Sequence, residues 1–142
     1  SILNKNISDI FEIKTLTILK IVFSVFMVFH IAIIISIIFL DIIPVDYLWG
    51  GQLKTKGELF IFELISILIQ TICLLYVLLY KKYFSEKTTG KIIAWILFII
   101  FSFNTVGNIL AKTLFEKIIF TPVTLCLSLL MLRIALTKKT EK

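Results

Sequence analysis

Four long apolar runs, each closed by charged residues, constrain this chain more than any other feature. Residues 21–40 lie between Lys20 and Asp41. Residues 59–80 end at Lys81 and Lys82. Residues 92–110 follow Lys91, and residues 118–136 follow Lys117. Each run holds 19 to 22 residues. A helix rising 1.5 Å per residue needs about 20 apolar residues to cross the hydrocarbon of a bilayer. The runs do not alternate polar with apolar and are too long for barrel strands, although Ile and Val favour sheets. The expected fold class is therefore all-α: an integral membrane four-helix bundle, antiparallel and up-down-up-down, forming one transmembrane domain over 1–142.

Composition agrees. Of 142 residues, 59% are hydrophobic and only 17% charged, with mean hydropathy +1.05. A soluble domain of this size has too much surface to hide that much Ile, Leu and Phe. The net charge of +6 does not indicate a nucleic-acid partner. The Lys residues stand at the ends of apolar runs, where they meet phospholipid headgroups, and form no aromatic-interleaved basic patch. Cys73 and Cys126 lie inside apolar runs and read as small hydrophobes. No metal-ligand spacing, P-loop or G-x-S-x-G pattern occurs, so no cofactor or metal is expected.

Lysine and arginine place the two sides. Eleven of them (Lys5, Lys14, Lys20, Lys81, Lys82, Lys87, Lys91, Arg133, Lys138, Lys139 and Lys142) fall in the two termini and the second loop. Lys54, Lys56, Lys112 and Lys117 fall in the other two loops. Positive residues mark the cytoplasmic face, which puts both termini inside. Tyr47 and Trp49 border the outer face; Tyr76, Tyr80, Tyr83 and Trp95 border the inner one. Ahead of the first run, Ile7, Ile10, Phe11 and Lys14 recur at helical spacing and predict a short N-terminal interfacial helix. The first loop holds Pro44 and the Gly50-Gly51 pair, which predicts a turn with Trp49 anchored in the headgroups.

Polar residues in hydrocarbon are costly and face protein or water. Glu63, Ser66 and Gln70 share one face of the second run at i, i+3, i+7. Thr121, Thr124 and Ser128 repeat that spacing in the fourth. Asn104 and Asn108 share a face of the third. His30 sits near the middle of the first, with Asp41 three turns on. All these stripes crowd toward the outer half, which predicts a polar vestibule open outward. The expected ligand-binding residues are Glu63, His30, Gln70, Asn104, Asn108 and Thr124. Each also has a packing role open to it, because Ser, Thr, Asn and Gln bridge membrane helices and hydroxyls bond back to their own helix. Pro122 is expected to start or kink the fourth helix. Glu63 has the strongest need of a partner, with His30, Asn104, Asn108 and Lys112 in reach. Glu116 is expected to be solvated or paired with Lys112 or Lys117.

Two segments carry a resemblance: Asp46-Tyr47-Leu48-Trp49-Gly50-Gly51-Gln52-Leu53, and Asn104-Thr105-Val106-Gly107-Asn108 followed by Glu116-Lys117 and Thr121-Pro122-Val123-Thr124. The chain resembles small four-span bacterial membrane proteins of uncharacterised function. That resemblance implies a bacterial inner-membrane protein and no activity, with the Trp-Gly-Gly loop and the Asn/Thr hairpin acting together. A second similarity, to sterol isomerases and sigma-2-type receptors, rests on His30, Asp41 and Glu63. The spacings depart from that family, and no residue role carries over.

Three functions fit these features. The first is a non-enzymatic protein that binds or transports a small amphipathic molecule, lipid or ion in the vestibule; four spans are few for transport, so a homodimer is then expected. The second is an accessory subunit of a larger membrane complex. The third is an intramembrane isomerase-like enzyme using Glu63 and His30 as an acid–base pair.

Overall fold

A computed structural model describes residues 1–40 and 48–137. Asp41, Pro44, Asp46, Tyr47, Lys138, Lys139 and Lys142 lie outside the described residues. Among the described residues the chain is all-helical, and four helices are long and apolar enough to cross a membrane. Helix α1 (Ile2–Ile35) continues through a π turn at Ser36–Leu40. Helix α2 (Lys56–Leu79) continues through a second π turn at Tyr80–Phe84. Helix α3 spans Thr88–Ile109. Helix α4 (Thr121–Leu136) follows a third π turn at Glu116–Phe120. The expected spans thus fall within the four helices, to within a residue.

One expectation is corrected. No separate short helix precedes the first span, because α1 and its π turn run unbroken for 39 residues. At 1.5 Å per residue that is about 58 Å, nearly twice the hydrocarbon thickness. The N-terminal stretch is also not merely superficial. Thr15, Leu16 and Leu19 are buried in the bundle, and the Arg133 guanidinium of α4 sits 4.6 Å from the Phe11 ring centroid.

Local chemistry sets the helix ends. Thr55 caps α2 by accepting from Glu58 N–H at 3.1 Å, while Glu58 accepts in return from Lys54 N–H at 2.8 Å. This satisfies donors that the first turn leaves open. Pro122 stands where the π turn passes into α4, and without an N–H it makes no bond back to the preceding turn. The join of α2 to α3 depends on Gly90: a Cβ there would stand 2.4 Å from the Phe84 carbonyl oxygen. Tyr76 Oη donates to the Gly90 carbonyl at 2.7 Å and locks that crossing. Inside the helices, Ser66, Thr71, Ser102 and Thr124 donate to the carbonyl four residues back. Their hydroxyls thereby need no water.

The closest pairings are α3 with α4 and α1 with α2. Ser102 faces Ser128 and Thr105 faces Thr124, so residue numbers rise along α3 as they fall along α4. The main apolar core lies toward one end of the bundle. Leu19, Phe23, Val77, Ala94, Leu127 and Met131 are among its members. A smaller cluster of Ile33, Leu48 and Leu59 lies under the first loop. Between the two clusters the helices enclose a cavity. The outer surface is covered by exposed apolar side chains such as Val28, Leu68, Phe103 and Leu129. Water would disfavour so continuous an apolar belt; lipid accepts it.

Candidate functional site: a strapped cavity between the helices

The cavity holds about 650 Å³. All four helices and the first loop contribute to its wall. Most of the lining is apolar, including six phenylalanines and Trp49, with a few polar groups converging on it. That is the usual constitution of a small-molecule site. The six residues expected from the polar stripes, Glu63, His30, Gln70, Asn104, Asn108 and Thr124, all line it.

Their surroundings differ. Glu63 is 1% exposed. One carboxylate oxygen contacts His30 Nδ1, and the other accepts from Trp49 Nε1 at 3.1 Å. A carboxylate at this depth needs such partners. His30 is wedged between Phe26 and Phe29, with ring centroids 6.4 and 5.6 Å away. Of the partners expected for Glu63, His30 is the one that meets it; the indole N–H is an addition. Thr124 is fully engaged: its hydroxyl receives Thr105 Oγ1 at 3.1 Å and Asn108 Nδ2 at 3.3 Å, and donates to the Phe120 carbonyl. Thr124 and Asn108 therefore bridge α3 to α4 as well as facing the cavity. Asn104 is exposed on α3. Gln70 Oε1 is buried without a hydrogen-bond donor, and so is Thr121 Oγ1.

The first loop is a strap. Trp49 to Gly51 form a tight turn in which Trp49, Gly50 and Gly51 have φ of 55°, 68° and 70°. Glycine accepts the left-handed region freely, but Trp49 does so against preference. Two carboxylates hold it there. Glu63 grips the indole, and Glu116 accepts from Gly50 N–H with both oxygens at 2.9 Å. Thr113 Oγ1 donates to the same Glu116 at 3.1 Å. The Trp49 ring also meets Phe62 edge-on, 5.0 Å between centroids. The strap thus ties α2 to the π turn that opens α4.

Glu116 is the clearest departure from expectation. It is 5% exposed, and its partners are Gly50 and Thr113 rather than Lys112, Lys117 or solvent. The Thr113-x-x-Glu116 spacing, with Glu116 N–H directed at Thr113 Oγ1 at 3.4 Å, is the local signal for an ordered turn there. Trp49 likewise serves the cavity wall and Glu63, beyond its expected headgroup position. Gly50 to Glu116 is also the bond that joins the Trp-Gly-Gly loop to the Asn/Thr hairpin. The strap crosses the loop end of the cavity, where an open vestibule is expected. Exposed wall residues open the cavity in two places: Ile65 on α2 with Phe103 and Asn104 on α3 sideways between those helices, and Leu110, 75% exposed, with Gln52 at the loop end.

Comparison with protein-family models, with curated proteins and with solved structures finds no match for this chain.

Proposed function

We propose that this chain is a multi-pass membrane protein that binds a small amphipathic molecule in the strapped cavity, as a binding or transport protein and not as an enzyme. The observation that carries the reading is one cavity of about 650 Å³ inside a bundle whose outer surface is apolar. Its polar groups come from all four helices and converge on one mostly apolar space, the constitution of a small-molecule site. In a bilayer, the exposed wall at Ile65 and Phe103 between α2 and α3 would meet the apolar interior, which supplies amphipathic molecules directly. In this reading the helices run up-down-up-down through a bacterial plasma membrane. Both termini are cytoplasmic, as the lysine distribution supports, and the strap lies at the outer face. A homodimer is expected if the cargo is carried across, because four spans leave little room for alternating access.

Native mass spectrometry of protein purified in mild detergent tests this. The expected result is a retained small molecule on the wild type that is lost from Glu63→Gln with the helical content unchanged. An empty chain, or a stable complex with other membrane proteins that tolerates Glu63→Gln, contradicts it and favours an accessory subunit.

A further inference from the structure

A second space lies beside the cavity. A groove of about 310 Å³ runs between α2 and α3, walled by Ile72, Cys73, Ile93, Ile96 and Leu97, with no polar surface. Ile69 and Ile100 wall both spaces, so the groove adjoins the cavity at their level. From Ile93 to Ile100 it extends about 10 Å along α3. A molecule filling both would place a polar head beside Gln70, Asn104 and Glu63 and an unbranched apolar chain along the groove.

The charges select the head. Two carboxylates, Glu63 and Glu116, line the cavity, and no Lys or Arg does among the described residues. Glu63 meets His30, whereas among the described residues Glu116 is met by the neutral donors Gly50 N–H and Thr113 Oγ1. The ionisable side chains of the wall are thus two carboxyl groups and one imidazole. An anionic head would add like charge to a site of low dielectric, whereas a cation is attracted. An ammonium group offers three donors and no acceptor. Six phenylalanines and Trp49 line the same space, and aromatic rings attract a cation more than a neutral head.

We infer that the cavity and groove together take a single-chain amphipathic amine, its protonated head in the cavity and its alkyl chain between α2 and α3. This rests on the binding reading above and names the class of ligand for it.

The test compares three probes with the same chain, dodecylamine in its protonated form, dodecanol and dodecanoate. Each is titrated onto the full chain in phosphatidylcholine nanodiscs and corrected with empty nanodiscs. The amine is expected to bind at least tenfold more tightly than the other two. Glu63→Gln should lower its affinity at least fivefold. Ile69→Phe and Ile96→Phe narrow the groove from exposed positions, where folding is little disturbed. Each should lower amine affinity at least threefold. Equal or tighter binding of dodecanol or dodecanoate overturns the choice of head and leaves the cavity as a site. Unchanged affinity in both groove variants overturns the placement of the chain. If none of the probes binds, native mass spectra separate the two readings. A retained molecule of another class overturns this inference alone, and no retained molecule overturns both.

Discussion

The strap yields a coupling that can be measured. Trp49→Phe removes the indole N–H that reaches Glu63 Oε1 at 3.1 Å but keeps a ring against Phe62. A hydrogen bond to a charged group contributes about 1.5–3 kcal/mol. With Trp49 38% exposed, water replaces part of the loss, so about 1.5 kcal/mol is expected. Glu116→Ala removes the acceptor of both Gly50 N–H and Thr113 Oγ1 from a site 5% exposed. Two donors left without this buried acceptor should cost about 2.5 kcal/mol. Both variants release the same three-residue turn, and Trp49 leaves an unfavourable φ of 55° once it is free. The second release therefore costs less than the first. The double variant should lose about 3 kcal/mol rather than about 4, a coupling of about 1 kcal/mol. SDS titration in mixed micelles, followed by circular dichroism, measures all four corners of the cycle. Additivity within about 0.4 kcal/mol would show that the two carboxylates do not hold one strap.

Other outcomes follow from the same structure. Gly90→Ala and Gly107→Ala make the same change with opposite expected signs. The first meets the Phe84 carbonyl at 2.4 Å and should destabilise by about 1–3 kcal/mol. The second meets nothing within 4 Å and should stabilise by about 0.5 kcal/mol through helix preference, both read by the same titration. Thr124→Val removes the acceptor for Thr105 and Asn108 across α3 and α4. Such bonds average about 0.6 kcal/mol each in membrane bundles, so a loss near 1 kcal/mol is expected. A loss above about 3 kcal/mol would show that this ladder, and not apolar packing, holds the hairpin. His30→Ala leaves the buried Glu63 with the indole alone. Breaking a buried pair costs about 3 kcal/mol, and a much smaller loss would mean that the two groups are not paired.

The helices could be read from the sequence because length and apolarity are local quantities. A run of 19 to 22 apolar residues has few structures open to it. The six polar residues facing the cavity could be read because helical spacing alone puts Glu63 with Gln70, and Asn104 with Asn108, on one face. Burial of Glu116 could not be read in that way. Its partner Gly50 lies 66 residues away, on a loop whose path no periodicity encodes. The bond from Trp49 to Glu63 depends on a left-handed turn that only the folded loop establishes. The unbroken α1 was obscured for another reason. Asn4, Lys5, Asn6, Asp9 and Glu12 lower hydropathy without breaking a helix, so a change of solvent resembles a change of element. The groove beside the cavity was also hidden, since Ile69, Ile96 and Ile100 look like any lipid-facing isoleucines until α2 and α3 are seen to part.

The central claim is that the cavity itself is the binding site, and Gly107 gives the most direct access to it. Gly107 lines the cavity, and nothing lies within 4 Å of where its Cβ would be. Gly107→Leu therefore fills cavity space with little strain on the core. Native mass spectra of the wild type and of Gly107→Leu, purified side by side with unfolding midpoints recorded, make the measurement. The account predicts a retained small molecule on the wild type and at least a tenfold lower occupancy on a Gly107→Leu protein of equal or greater stability. Equal occupancy of the two proteins would place the ligand elsewhere and contradict the account.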